Sequence, residues 1–155
     1  MLFGRRFMFL RFNRLFFAAI WFAFQMGFLM AFIYAVIMVV GMKLFSSQPP
    51  VLGMVLAISS YVAVLCALSS FLAFSLSPFL RKWIQFSKLK HEGYFVVSLA
   101  ACIANLTLLT LAPWSRSLLA AVNLFVSLVG VFLGSFVYMS TAKKLERVMK
   151  DRSDV

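Results

Sequence analysis

The chain has 155 residues, of which 64% are hydrophobic and only 12% charged, and its mean hydropathy is +1.01. A soluble domain of this length has too little interior to hide that much apolar side chain, so lipid must be part of its solvent. Nineteen Phe exclude a disordered chain and two Cys exclude a disulfide scaffold, while the net charge of +11 has to be explained by where its cations fall.

Residues 1–16 form a basic interfacial segment in which Arg5, Arg6, Arg11 and Arg14 interleave with Phe. Its apolar positions make no clean helical face, and it reads as a headgroup anchor. A signal peptide is not expected, because no small-residue cleavage site follows and the apolar run continues as a full span. An Arg-rich start without acidic residues also suits a mitochondrial presequence.

Four apolar runs follow, at 17–42, 51–77, 94–112 and 118–139, and none contains Asp, Glu, Lys, Arg or His. Crossing about 30 Å of hydrocarbon takes roughly 20 helical residues, and every run is long enough. Lipid offers no partner to an unpaired backbone group, so each run reads as a helix. The alternation of barrel strands is missing. The expected fold class is all-α: a polytopic membrane protein, a single domain of four transmembrane helices in an antiparallel bundle.

In the first run Ala19, Ala23, Gly27, Ala31 and Ala35 recur at spacing four. Such a row drifts about 40° per step on a straight helix, so it suits a crossing over two or three steps and not one partner throughout. Pro49-Pro50 precede the second run, where Ser59, Ala63, Cys66, Ser70, Ala73 and Ser77 share an arc of about 80° opposite Tyr61, Val64, Leu65, Leu68 and Leu72. Pro78 marks its expected end. The third run carries Ser98, Ala101, Cys102, Asn105 and Ala112 on one face, and Pro113 stops it. The fourth carries Ala120, Asn123, Ser127, Gly130 and Gly134, with Gly130 and Gly134 forming a GxxxG pair. Small stripes of this kind let helices approach closely in lipid. They predict a bundle with small residues inside and Phe, Leu and Met toward lipid. Gly27, Ala31, Ser59, Ala63, Ser70, Gly130 and Gly134 are the candidate contacts, and the GxxxG pair could instead dock another subunit. Residues 140–150 extend the last helix as an amphipathic tail, with Glu146 and Lys150 as an i,i+4 pair. That tail lies on headgroups or serves as a docking handle for a partner.

Orientation follows from the loops. Arg5, Arg6, Arg11, Arg14, then Arg81, Lys82, Lys88, Lys90, then Lys143, Lys144, Arg147, Lys150 and Arg152 place thirteen cations on one side, against Lys43 and Arg116 on the other. The positive-inside rule puts both termini and the middle loop in the cytoplasm. The charge then sets topology and meets anionic headgroups, through Arg5, Arg6, Arg11, Arg14, Arg81, Lys82, Lys143 and Lys144. No nucleic-acid partner is implied.

Three strongly polar side chains lie within the runs: Gln25, Asn105 and Asn123. Asn105 and Asn123 sit at similar depth on either side of a short turn, so an Asn105–Asn123 clamp is expected, with Ser69 or Ser70 as the partner of Gln25. Alternatively Gln25, Ser59, Ser70, Asn105 and Asn123 line a wetted path between subunits.

Reactive chemistry is sparse. No span holds an ionisable group of the kind carriers use, His91 is the lone His and lies in a loop, and Cys66 and Cys102 form no C-x-x-C. Glu92, Glu146, Asp151 and Asp154 all fall outside the runs and suggest no acid–base pair. No phosphate loop or nucleophile elbow is present, and the Asn105-Leu106-Thr107 sequon lies inside a span. The expectation is a protein that is not an enzyme and has no cofactor, working as an accessory or assembly subunit of a larger complex in a bacterial inner membrane, of secretion, conjugation, transport or respiratory type. A small homo-oligomeric channel is the second reading, and a membrane immunity protein the third.

Overall fold

The computed structural model describes the backbone of residues 2–45, 52–86, 88–111 and 118–150, and the side chains of 13–44, 52–86, 88–108, 110 and 124–148. It is all helical, with α1 (Leu2–Phe45), α2 (Leu52–Ile84), α3 (Leu89–Leu111) and α4 (Leu118–Lys150). All four are long and apolar enough to cross a membrane, which suggests a membrane helical bundle. At 1.5 Å per residue the 44 residues of α1 extend about 66 Å, about twice the roughly 30 Å thickness of bilayer hydrocarbon. The expected interfacial segment 1–16 is thus continuous with α1.

Helix bounds differ from the sequence expectation at two places. Pro78 does not end α2, which continues to Ile84 with the proline inside it. Proline removes one backbone donor and crowds the carbonyl four residues earlier, but membrane helices tolerate it where neighbours re-satisfy the freed group. The third helix begins at Leu89, five residues before the apolar run. Its first turn is polar, and hydropathy alone could not see it.

The helices form a ring in which α1 packs on α2 and α4, and α3 packs on the same two helices; across the ring α2 and α4 meet through side chains, Phe74 with Tyr138 and Arg81 with Glu146. Glycines set the closest crossings. A Cβ on Gly27 would lie 2.9 Å from the Ala63 carbonyl oxygen and 3.1 Å from the Ala67 Cβ, so α1 and α2 touch there backbone to backbone. A Cβ on Gly130 would lie 2.7 Å from the Met30 Sδ, and one on Gly134 would meet Met26 Cε at 2.7 Å and Val97 Cγ1 at 2.9 Å. The GxxxG pair is therefore filled by methionines of the same chain, and not left open for another subunit.

Large side chains share the interior with small ones, contrary to the simple small-inside pattern. Phe22, Phe74 and Tyr138 are each at most 2% exposed, and their ring centroids lie 5.1–5.8 Å apart. Such pairs contribute about 0.5–1.5 kcal/mol beyond simple burial. Met26, Val96 and Val97 pack around them, while Met30, Val62 and Val126 form a second cluster. Glycine on the facing helix is what admits the bulky side chains. Ala19, Ala23 and Gly27 are buried while Ala31 and Ala35 are only partly covered, the drift expected of a four-residue spacing. On α2, Ser59, Ser70, Ala73 and Ser77 are buried while Ala63 and Cys66 are partly so, and Tyr61, Val64, Leu68 and Leu72 are exposed.

Candidate functional site

At one end of the bundle four polar side chains meet. Gln85 takes φ of 43° directly after α2 ends. A left-handed residue there stops the helix and swings the chain back. The Lys88 carbonyl then accepts from the backbone N–H groups of His91 at 3.0 Å and Glu92 at 3.3 Å, opening α3. Glu92 thus lies in the first turn of α3, where unpaired N–H groups favour a negative charge.

Glu92 is only 3% exposed. Its Oε1 accepts a hydrogen bond from the Tyr138 hydroxyl at 2.5 Å. Arg81 donates through Nε to both carboxylate oxygens, at 3.2 and 3.0 Å, and Nη2 lies 2.9 Å from Oε2. Arg81 Nη1 also reaches Glu146 Oε1 at 3.4 Å. A carboxylate taken out of water alone costs several kcal/mol. Here the half-exposed guanidinium neutralises it from the outer side and the buried phenol donates from within. The cluster ties α2, α3 and α4 together at one level. A Cβ on Gly93 would stand 3.2 Å from the Tyr138 ring, so glycine beside Glu92 is what lets α4 come close enough. Arg14 brings in α1, with Nη1 donating to the Val148 carbonyl at 2.9 Å; that carbonyl belongs to the last turn of α4 and has no partner within its helix.

Chemically this is a carboxylate with its acceptor positions engaged, a phenol that donates to it, and a guanidinium bonded to two acids. Both inner members are buried, and the arrangement holds α2, α3 and α4 in register. Arg81 is corrected accordingly: it serves Glu92 and Glu146, and is not simply a headgroup contact. Arg14 bonds α4, while Lys82, Lys143 and Lys144 are exposed. The side chains of Arg5, Arg6 and Arg11 lie outside the described residues.

A second polar group sits deeper, around a central cavity of about 40 Å³ lined by Tyr34, Cys66, Ser70, Asn105 and Ser127 among others. Asn105 Nδ2 donates to the Ser127 hydroxyl at 2.7 Å, joining α3 to α4, and to the Ala101 carbonyl at 2.9 Å. Ser127 lies four residues along α4 from Asn123, the expected partner of Asn105; the Asn123 side chain lies outside the described residues. Gln25 is corrected too. Its Oε1 faces the Thr141 hydroxyl at 3.4 Å, while Ser69 donates to the Leu65 carbonyl at 2.8 Å. Ser70 and Asn105 share the central cavity, but Gln25 opens onto a groove on the outside of α1 and α4. Ser59 is buried with its Oγ unpartnered.

Sequence reasoning passed over Glu92 and Tyr138. The signal for Glu92 was a single acid directly after the basic stretch 81–90, next to a glycine. Tyr138 carried no local signal, since its role depends on a residue 46 positions away. Among the described residues no group of three His, Cys, Asp or Glu is placed to hold a metal ion. No protein-family model, curated protein or solved structure gives a significant match to the chain.

Proposed function

We propose that the chain is a non-catalytic accessory or assembly subunit of a larger complex in a bacterial inner membrane. Its four helices cross the bilayer in antiparallel order, with both termini and the short α2–α3 loop in the cytoplasm. The observation that carries this reading is the use made of the buried and half-buried polar groups. Glu92, Tyr138, Asn105 and Ser127 each bond another helix, and Phe22, Phe74 and Tyr138 belong to one buried core. Polar groups committed to one another give rigidity and register, which is what a scaffold inside an assembly needs. The basic residues gathered at the Arg81 end support the orientation through the positive-inside rule.

Gentle detergent extraction of native membranes followed by mass spectrometry tests the reading. Stoichiometric co-migration with other membrane proteins is the expected result. Migration of the chain alone or only with itself overturns the assembly role. Ion or solute flux through reconstituted liposomes that Asn105→Leu abolishes would establish the channel reading in its place.

A further inference from the structure

We infer that the cavity at the centre of the bundle is a binding site for a small uncharged molecule that carries a hydroxyl group. The inference concerns the interior of one chain and does not depend on the assembly role, which the co-migration experiment tests separately.

All four helices contribute to the cavity wall: Met26 and Met30 from α1, Ser70 from α2, Val97 and Asn105 from α3, and Ser127 from α4. The lining holds no Asp, Glu, Lys, Arg or His. An ion brought into such a place finds no counter-charge to offset its lost hydration, so the occupant is neutral. The volume of about 40 Å³ has room for about three waters, or for one molecule of about three or four carbon atoms in their place. Cavities that stay empty are apolar. This one has an amide and hydroxyl groups in its wall, so it is filled.

Asn105 and Ser127 define the head group of the occupant. The Ala101 carbonyl can only accept, so the atom of Asn105 that faces it at 2.9 Å is Nδ2, and Nδ2 also donates to Ser127 Oγ at 2.7 Å. Both amide hydrogens are then used, and what the amide still offers is the acceptor Oδ1. Ser127 accepts through Oγ and does not spend its own hydrogen in doing so. An acceptor and a donor on adjoining side chains match a hydroxyl, which gives one hydrogen bond and takes the other. A ketone or an ether matches only half of the pair. Ser70, 1% exposed, adds a further hydroxyl from α2. Met26, Met30 and Val97 supply apolar wall for the carbon chain. The two methionines lie over Gly134 and Gly130, and their unbranched side chains adapt to bodies of different shape.

The test is photolabelling of the full-length chain in lipid vesicles with 3-azibutanol, a short alcohol bearing a diazirine, with the adducts mapped by tandem mass spectrometry. Adducts on Met30 or Asn105 that excess 1-propanol suppresses at least about fivefold, the worth of one hydrogen bond, are the expected result. Adducts on Leu106, which is 69% exposed, report non-specific labelling from lipid and should not saturate. Ser127→Ala lowers the cavity adducts by about the same factor, and Ala104→Leu, which fills the cavity from its wall, abolishes them. Both variants should keep the Leu106 adducts and the helical circular dichroism of the parent chain. Where a variant loses its helicity, the propanol competition on the parent chain decides alone. Three outcomes overturn the inference: adducts on lipid-facing residues only, cavity adducts that propanol does not suppress, or folded Ser127→Ala and Ala104→Leu chains that label like the parent.

Discussion

Replacing Arg81 by Gln should destabilise the bundle more than replacing Glu92 by Gln, although the two residues form one ion pair. Without Arg81 the Glu92 carboxylate, whose side chain is 4% exposed, keeps only the Tyr138 hydroxyl. Removing one member of a buried pair costs about 3–5 kcal/mol. Arg81 is 49% exposed, so solvent already screens part of the interaction, and the expected loss falls to about 2–3 kcal/mol on that discount. Glu92→Gln keeps an acceptor for Tyr138 and leaves Arg81 with Glu146 and solvent, at a cost of about 1 kcal/mol for the weakened bonds. The double variant should be less unstable than the two singles added, with a coupling of about 1–2 kcal/mol. Unfolding in mixed micelles by stepwise addition of SDS, followed by circular dichroism, measures all four proteins. The exposed neighbour Lys82→Gln is the reference. If Arg81→Gln costs no more than Lys82→Gln, the cluster does not hold the helices and the argument fails.

Gly27→Ala should cost about 1–2 kcal/mol in the same titration, because its Cβ meets a backbone oxygen that cannot move away without separating α1 from α2. Gly41→Ala, with nothing within 4 Å, should be neutral or gain a few tenths of a kcal/mol in helix propensity; equal effects at the two sites would refute the close crossing. Ser59→Ala should leave stability unchanged or raise it by up to about 1 kcal/mol, since it removes a buried hydroxyl with no partner. Gln85→Gly should raise stability by about 1 kcal/mol by relieving the left-handed backbone after α2, and a loss there would show that the Gln85 side chain contributes something the backbone does not.

The sequence reached some of this architecture because lipid makes the pattern coarse. Uncharged runs of twenty residues have one solution in hydrocarbon, so the helix count was legible. So was the buried arc of α2, because serine and alanine repeat at helical spacing against leucine and valine. What escaped was pairing. Gly130 and Gly134 announce a close approach but not its partner, and Met26 and Met30 are flexible side chains that fit many gaps. That Asn105 bonds Ser127 was not legible, because the relative shift of two helices depends on packing along their whole length. Pro78 read as a stop because its local effect is to break helices, yet α2 runs through it to Ile84. Glu92 was hidden by the habit of assigning charged loop residues to solvent: its burial depends on Arg81, Tyr138 and Gly93 arriving together from three helices.

Labelling with a membrane-impermeant maleimide tests the central claim most directly. Single cysteines are introduced as Lys43→Cys, Lys88→Cys and Lys144→Cys in a chain carrying Cys66→Ala and Cys102→Ala. Four crossings with the cations held on one side require positions 88 and 144 to react from the same face of sealed vesicles, and position 43 only from the other. Reaction of all three from one face, or of 88 and 144 from opposite faces, would contradict the account.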